Sequence, residues 1–287
     1  MKSVGPILAV LAAIVALWYA GSVWMNSQWT LDQTARNNQT VTFSQIVQDT
    51  MDQKRPVLPA PHQVAEGLWQ GVFGQAVTSK RSLVYHAWVT LSATLLGFAI
   101  GTGLGVLLAV GIVHNRAMDM SVMPWAIASQ TIPILAIAPM IIVVMASIGI
   151  TGLLPKAVIS AYLSFFPVVV GMVKGFRSPD AMQLDLLGTY SASRAQTFWK
   201  LRFPASMPYF FTSLKIAAAA ALVGAIVGEL PTGAVAGLGA RLLSGSYYGQ
   251  TVMIWSALFM AAIVAAILVG VIGAVQAVTL KRMGMRQ

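Results

Sequence analysis

The sequence contains no cysteine and little charge of either sign. Its 287 residues include 18 Lys and Arg and 8 Asp and Glu, and only 9 % are charged. The missing cysteines exclude disulfides, thiolate metal sites and lipidated cysteines. A soluble domain carries about 25 % charged residues. The shortage of charge, together with 57 % hydrophobic residues, therefore indicates an integral membrane protein.

The sequence also lacks the motifs of an enzyme or a self-powered transporter. It has no G-x-x-x-x-G-K-[ST] phosphate-binding loop and no His, Asp and Glu cluster with metal-ligand spacing. His62, His86 and His114 stand alone, and we interpret them as interface or packing residues. We therefore expect no cofactor, no metal and no catalytic residue, and any transport would be driven from outside the chain.

Long uncharged runs predict an all-α, polytopic membrane protein with about six transmembrane helices, because a bilayer core needs about 20 apolar residues as helix. The predicted spans are Pro6–Met25, Leu83–Val113, Ile132–Ile150, Leu153–Val173, Tyr209–Leu230 and Thr251–Leu280. The first could be a signal peptide, but the bulky Trp18 lies where cleavage at Ala20 needs a small residue, which favours an uncleaved span.

Basic residues lie at the ends of these runs and predict their orientation. A net charge of +10 could suggest nucleic acid, but scattered Lys and Arg at span ends are typical of the positive-inside rule. We therefore expect no nucleic-acid partner and place both termini in the cytosol. The outer side then receives residues 26–82, a short turn near Lys156 and a loop around Arg241.

The long outer segment predicts one helix. Residues 26–55, rich in Gln, Asn and Thr, carry no recognisable chemistry. From His62 to Lys80, apolar residues recur at helical spacing with an aromatic rim. This pattern predicts a helix in the outer membrane interface, or alternatively a helix packed across the tops of the spans.

Two features inside the spans suggest packing or a pathway. Gly97, Gly101 and Gly105 recur every four residues, which predicts a helix-packing seam or a substrate-lining face. Gln130 and Thr131 come just before Pro133 at the start of the third span, with Pro124 and Pro139 on either side. Unwound backbone there is tolerated where it lines a cavity, so this segment is a gate or pathway wall, or a kink that serves packing.

Glu229 is the acidic residue that falls inside a predicted span. A carboxylate at the centre of a bilayer costs on the order of 2.5–3.5 kcal/mol, although this one lies near the outer end, just before Pro231. Three interpretations remain open: a wet carboxylate paired with Arg241, a gate or pathway residue, or a substrate contact.

A polar and basic island follows the fourth span. Ser178 and Pro179 predict a helix start, with the helix running to about Tyr190. Ser193 and Gln196 match a capping box, which predicts a second short helix. This helix should end at Phe203 because Pro204 disfavours helix in the residue before it, and Ser206 would cap the next span. Phe198 and Trp199 add apolar bulk, so we expect the island to contact a partner.

The island resembles a loop found in one family of transporters. Asp185-Leu186-Leu187, three residues, Ser191, nine residues and Leu201-x-Phe203-Pro204 share the spacing of the Glu-Ala-Ala (EAA) loop of ABC importer permeases. The identities differ, and Ser191 replaces a glycine that permits positive φ; we expect the helix–turn–helix geometry to survive. The remainder is similar to the nitrate/sulfonate/taurine branch and to permeases for thiamine-pyrimidine precursors through these segments: Leu58–Pro61, His86, Thr90-Leu91, Gly97-Phe98, Gln130–Pro133, Phe165–Pro167 and Gly237–Gly239.

This resemblance implies the type I ABC importer permease fold and a set of partners. These are two ATP-binding ABC subunits, a periplasmic substrate-binding protein and a second permease copy, assembled in the bacterial inner membrane. The coupling residues that it implies are Asp185, Ser191, Arg194, Gln196, Phe198, Trp199 and Pro204. Residues 1–25 would form the first transmembrane helix, 26–82 a periplasmic segment, 83–280 a permease core with coupling loop 175–208, and 281–287 a cytoplasmic tail. An ATP-independent channel or secondary transporter is the alternative.

Overall fold

A computed structural model describes residues 4–37, 42–231 and 234–285. Within these ranges the regular structure is helical throughout, and the prediction of an all-α protein is confirmed. The helices are α1 (Val4–Arg36), α2 (Phe43–Met51), α3 (Pro61–Val72), α4 (Leu83–His114), α5 (Arg116–Ser129), α6 (Ile134–Ser147), α7 (Leu153–Phe176), α8 (Ala181–Thr189), α9 (Arg194–Thr197), α10 (Phe203–Glu229), α11 (Leu238–Tyr247) and α12 (Thr251–Arg282).

Five stretches of helix in the described residues are long and apolar enough to cross a membrane. They are α1, α4, α7, the continuous helix Arg194–Glu229 and α12. Counting the bent pair α5–α6 as one span raises the number to six. The predicted number of about six is therefore reached only through a span that is not a straight helix.

The third span is broken at Pro133. Helices α5 and α6 are bent by 99° to each other across a short gap. Each has 14 residues and is about 21 Å long at 1.5 Å per residue, too short alone for a bilayer core of about 30 Å. The prediction of a span over Ile132–Ile150 is therefore wrong. Pro133 is the N-cap of α6, whereas Pro124 and Pro139 lie inside helices.

Helix α1 is longer than its predicted span, which ends at Met25. It continues to Arg36. Within this extension, the side chain of Asn26 binds the backbone of a later segment. The Oδ1 atom of Asn26 accepts from the backbone N–H groups of Val57 and Leu58 at 2.8 and 3.2 Å, and its Nδ2 atom donates to the Leu58 carbonyl at 2.9 Å. A buried amide thus holds the proline-containing segment at Val57 and Leu58 against α1.

The rest of residues 26–82 also differs from its prediction. Residues 26–55 contain a further helix, α2, that the sequence pattern did not predict. Helix α3 begins at Pro61, as expected near His62, but ends at Val72 instead of Lys80. Gly74, whose N–H donates to the Gln70 carbonyl at 3.0 Å, closes its last turn.

The Cα positions divide the chain into two compact units. One contains the residues up to His86 together with Ala240–Met260, and the other contains Ala87–Gly239 and the residues from Ala261 onwards. In the first unit, Trp18 of α1 stacks on Phe259 of α12 with ring centroids 5.8 Å apart. In the second unit, α7 packs along α10 through small side chains, and the Ser160 hydroxyl donates to the Ala221 carbonyl at 2.8 Å.

The glycine stripe of α4 lies against α7 in the second unit. A Cβ atom at Gly97 would lie 2.6 Å from the Ala157 carbonyl oxygen, and one at Gly101 would lie 2.9 Å from the Ala161 oxygen. A Cβ atom at Gly105 would approach Val168 to 2.7 Å. These distances are shorter than van der Waals contact, so the three glycines allow the two helix backbones to meet closely.

Candidate functional site

The polar island forms a helix–turn–helix with different helix ends from those predicted. Helix α8 starts after Asp180, whose backbone N–H donates to the Gln183 side chain at 3.2 Å. The prediction that Ser178 is the N-cap is therefore wrong by two positions; its hydroxyl instead donates to the Gly175 carbonyl at the end of α7. The helix ends at Thr189, close to the predicted end at Tyr190.

Ser191 makes the turn after α8. Its φ is +52°, and it is the non-glycine residue with positive φ in the described part of the chain. The Ser191 N–H donates to the Gly188 carbonyl at 2.9 Å and the Ala192 N–H to the Leu187 carbonyl at 3.0 Å. This pair of bonds is a Schellman motif, whose left-handed position is usually glycine. The expected survival of the turn despite serine is confirmed.

The predicted capping box starts α9. The Ser193 hydroxyl accepts from the Gln196 N–H at 3.2 Å, and the Gln196 side chain accepts from the Ser193 N–H at 2.8 Å. Two of the orphan donors at the helix start are satisfied in this way. The Schellman motif at Ser191 thus forms the turn, and the capping box of Ser193 and Gln196 starts the second helix.

Pro204 does not end the second helix. Helix α9 continues through a π turn at Phe198–Arg202 into α10, giving one helix over Arg194–Glu229. Proline lacks an N–H and its ring clashes with the carbonyl four residues earlier, here that of Lys200. The wider π turn, in which the Phe203 N–H donates to the Phe198 carbonyl, accommodates it. The predicted end at Phe203 and the predicted cap at Ser206 are therefore wrong; Ser206 is buried inside α10.

The side chains of the island divide into an exposed set and a buried anchor. Asp185, Arg194 and Gln196 are exposed. The exposed large apolar side chains are Met182 (82 %), Leu186 (57 %), Tyr190 (78 %) and Trp199 (64 %). Phe198, expected at the surface, is only 7 % exposed and packs on Phe176 and His114 with ring centroids 5.1 and 5.0 Å apart. The prediction that Phe198 is an exposed apolar residue is therefore wrong.

The residues at the break of the third span cap helix ends. Gln130 is the C-cap of α5, and the Thr131 hydroxyl donates back to the Ala128 carbonyl at 2.8 Å. The Tyr162 hydroxyl of α7 donates to the Ser129 carbonyl, which the break leaves without a helical partner. Side chains thus satisfy the backbone where the helix is interrupted.

Glu229 ends α10 and is fully buried. Its carboxylate oxygens both lie 3.0 Å from the Thr90 hydroxyl, which donates to them. The Gly239 N–H donates to Glu229 Oε2 at 2.8 Å, and the Leu238 N–H donates to the Thr90 hydroxyl at 2.8 Å. The carboxylate therefore lies at the N-terminus of α11, where backbone N–H groups and the helix dipole stabilise an anion.

Lys156 supplies the positive charge of this carboxylate site. Its Nζ atom lies 3.6 Å from Glu229 Oε1 and donates to the Ala236 carbonyl at 3.3 Å. The interpretation of Glu229 as a wet carboxylate is wrong, because its side chain is 0 % exposed. The sequence analysis did not predict this role of Lys156, because a single lysine between two apolar runs is typical of the end of a span.

Glycine is required where the loop meets the carboxylate. Gly237 has φ +127°, a backbone conformation that L residues rarely adopt, and a Cβ atom there would overlap the Glu229 carboxylate. A Cβ atom at Gly239 would lie 2.5 Å from the Ile226 carbonyl oxygen. The Gly-Leu-Gly sequence thus allows the backbone to approach Glu229 closely enough to donate to it.

The candidate spans of the described residues define the class of polytopic helical membrane proteins. Residues 101–284 match the family described as binding-protein-dependent transport system inner membrane component. This match covers more than half of the chain, and the chain belongs to this family, the permease components of ABC importers.

Several curated relatives support this assignment. The formylaminopyrimidine transport permease protein ThiX of Halalkalibacterium halodurans is 32 % identical over 184 residues, which cover 64 % of this chain and 68 % of ThiX. The riboflavin transport system permease protein RibX of Chloroflexus aurantiacus is 31 % identical over 186 residues, 65 % of each chain. The nitrate import permease protein NrtB of Leptolyngbya laminosa is 24 % identical over 192 residues, 67 % of this chain and 62 % of NrtB. The predicted family and branch are confirmed.

Proposed function

We propose that this chain forms the translocation pathway of an ATP-driven importer in the bacterial inner membrane. A periplasmic binding protein delivers a small solute, and two ATP-binding subunits drive a pair of permease copies. The exposed surface over Asp185–Trp199 carries this proposal, because it presents large apolar side chains beside Arg194 on a rigidly capped helix–turn–helix. Such a surface is costly in the cytosol unless a partner covers it.

Transmission of movement through the coupling loop follows from its continuity with a span. Helix α9 and α10 form one helix through the π turn, so a displacement of Arg194 reaches Glu229 along a single rigid element. In this proposal Arg194, Gln196 and Trp199 contact the ATP-binding subunit. Phe198 positions them by anchoring the π turn on Phe176, and Asp185, Ser191 and Pro204 set the geometry of the turn.

The coupling proposal is tested by separating contact from positioning. The variant Arg194→Glu/Trp199→Ala should lower the unfolding temperature of the isolated permease much less than Phe198→Ala, because Arg194 is exposed and Trp199, although its ring contacts those of Phe198 and Phe203, is 64 % exposed. It should lower solute-stimulated ATP hydrolysis of the assembled transporter at least tenfold. Phe198→Ala should instead lower the unfolding temperature of the isolated permease, since a buried Phe→Ala substitution costs about 3–5 kcal/mol. Normal coupling in the double variant would overturn the assignment of the contact surface.

An uptake measurement distinguishes the importer from a channel or secondary transporter. Proteoliposomes that contain the permease alone should not accumulate solute. Vesicles that also contain the ATP-binding subunit and the binding protein should accumulate it only with ATP. Uptake by the permease alone, driven by an ion gradient or down the solute gradient, would support the alternative.

The identities favour a heterocyclic solute over an inorganic or sulfonate anion. Formylaminopyrimidine and riboflavin permeases share 32 and 31 % of aligned residues with this chain. The putative aliphatic sulfonates permease SsuC of Bacillus subtilis and the nitrate permease each share 24 %. We propose a pyrimidine-like solute first, and competition of uptake by formylaminopyrimidine, taurine and nitrate tests the order.

A further inference from the structure

A basic cavity of about 450 Å³ lies in the first unit, and its wall shares no residue with the coupling loop or the Glu229 site described above. Among the described residues, its wall contains basic and amide side chains but no Asp or Glu. The basic and amide side chains that could bind a ligand in this cavity are Lys54, Arg55, Gln70, Arg81, Arg241 and Gln250. A cavity with several cations and amide donors, and no acid in its wall, favours an anionic occupant.

Arg241 is the partly buried cation of this cavity. It donates to the carbonyls of Lys80 and Arg81 and to Met253 Sδ, and its buried Nε atom has no hydrogen-bond partner. Burial lowers the pKa of the Arg241 guanidinium, because this charge has lost water without gaining a carboxylate. Its bonds to three backbone or thioether acceptors hold the guanidinium in place but do not neutralise it.

The other cations, Lys54, Arg55 and Arg81, are exposed, and the described part of the chain offers them no ion pair. Within the described residues the ion pairs are Lys156–Glu229 and Arg177–Asp119, neither of which belongs to this cavity. Acidic groups do lie in the neighbourhood. The Glu66 carboxylate accepts from Gln70 at 3.0 Å, and Lys54 and Arg55 also border a second cavity that contains Asp49 and Asp52. The net charge of the side chains that line the cavity is nevertheless positive.

The cavity is well placed to meet an anion at a membrane surface. Leu83 and Val252 in its wall belong to the first turns of α4 and α12. Helix N-termini carry partial positive charge, which adds to that of the side chains. On α3, which provides Gly67 and Gly71 to the wall, Trp69 is 65 % exposed, and Phe73 just after it is 68 % exposed. Exposed aromatic rings beside span ends are typical of the membrane interface.

We propose that this cavity binds an oxyanion of phosphate, sulfonate or phosphodiester chemistry. The group could come from a free anion or from the headgroup of an anionic phospholipid, and both present the same oxygens to the same cations. Lys54, Arg55 and Arg81 lie outside residues 101–284, the part that matches the permease family. Arg241 and Gln250 lie inside that part, so the cavity joins residues of the family match to three cations from the segment before it.

Binding measurements on the full chain in nanodiscs test this site and identify the source of its ligand. The variant Lys54→Ala/Arg55→Ala/Arg81→Gln removes three exposed cations from the cavity. The variant Arg36→Gln/Lys281→Ala/Arg282→Ala removes three exposed cations elsewhere and is the matched control. Inorganic phosphate and methanesulfonate are titrated in phosphatidylcholine nanodiscs by calorimetry. Retention of phosphatidylglycerol against phosphatidylcholine is measured by native mass spectrometry.

Saturable binding of phosphate or methanesulfonate would identify a free oxyanion as the ligand. Selective retention of phosphatidylglycerol without such binding would identify a lipid headgroup. In either case the cavity variant should weaken binding at least tenfold and the control variant less than twofold. If neither probe binds, or if both variants weaken binding equally, the proposal is wrong. If the triple variant does not fold, Lys54→Ala/Arg55→Ala should still weaken binding about threefold, and an unchanged affinity would overturn the site.

Discussion

At the scale of single residues, buried charge and backbone strain are the features that matter. Glu229 and Lys156 form an ion pair that is removed from water, and each depends on the other because an unpaired buried charge is costly. Ser191 occupies a left-handed position that most side chains resist. Each feature leads to a substitution whose effect has a definite sign.

Glu229→Gln should destabilise the protein by about 3 kcal/mol, because it leaves Lys156 buried without its counter-charge. The double variant Glu229→Gln/Lys156→Met should recover part of this loss by removing both charges. Thermal unfolding of the purified permease in detergent measures the difference. The exposed Asp32→Asn is the control and should have little effect. An unfolding temperature unchanged by Glu229→Gln would mean that the pair contributes nothing to stability.

Ser191→Gly should stabilise the coupling loop by about 1 kcal/mol, since glycine adopts φ +52° without the steric cost that serine bears. Ser191→Val should have the opposite effect because a β-branched side chain resists this conformation. Hydrogen exchange of the amides of Ser191 and Ala192, which close the Schellman motif, reports the change directly. Slower exchange in the valine variant than in the wild type would contradict the prediction.

At the scale of secondary-structure elements, close helix packing holds the second unit together. Gly101 of α4 meets the backbone of α7, whereas Gly103, two residues along the same helix, has open space around the position of a Cβ atom. The two glycines have the same intrinsic helix propensity and share Thr102 as a neighbour in sequence. Substituting each of them therefore distinguishes the effect of helix packing on stability from the effect of helix propensity.

Gly101→Val should destabilise the protein by about 1–3 kcal/mol, the usual cost of overpacking a tight contact. Gly103→Val should change stability much less, because nothing lies within 4 Å of its added Cβ atom. Unfolding temperature and the yield of monodisperse protein measure both. Equal losses in the two variants would show that propensity, and not the α4–α7 contact, dominates.

At the scale of the whole molecule, the missing cysteines become an experimental advantage. A chain without cysteine allows single-cysteine labelling without removing any native residue. The positive-inside rule predicts that the coupling loop faces the cytosol and the segment 26–82 the periplasm. Both regions contain highly exposed side chains that can be replaced without disturbing a core.

Met182→Cys, at a position 82 % exposed on α8, should react with a membrane-impermeant maleimide only in inside-out vesicles. Val77→Cys, at a position 60 % exposed after α3, should react only in intact spheroplasts. The wild-type chain is the blank and should not be labelled. The reverse pattern would place the coupling loop on the wrong side of the membrane for an ATP-binding partner.

Local and compositional signals were sufficient for the class of protein and for its loop. Charge-free runs predict spans because no lipid-exposed backbone can remain unbonded, and the serine and glutamine of Ser193 and Gln196 satisfy each other within one turn of chain. The spacing from Asp185 to Pro204 was enough to indicate the family that residues 101–284 match. These features depend on composition or on residues that are close in sequence, so they can be predicted without knowing the fold.

Only the tertiary structure decided which distant residues meet. Thr90, Lys156, Glu229 and Gly239 come from four separate segments, and no local pattern pairs Glu229 with Lys156. Phe198 is buried because α7 and the end of α4 surround it, and Pro204 stays within a helix because a π turn widens before it. Sequence determines what each segment can do alone, whereas pairing of buried charge and aromatic packing depend on neighbours that the fold brings together.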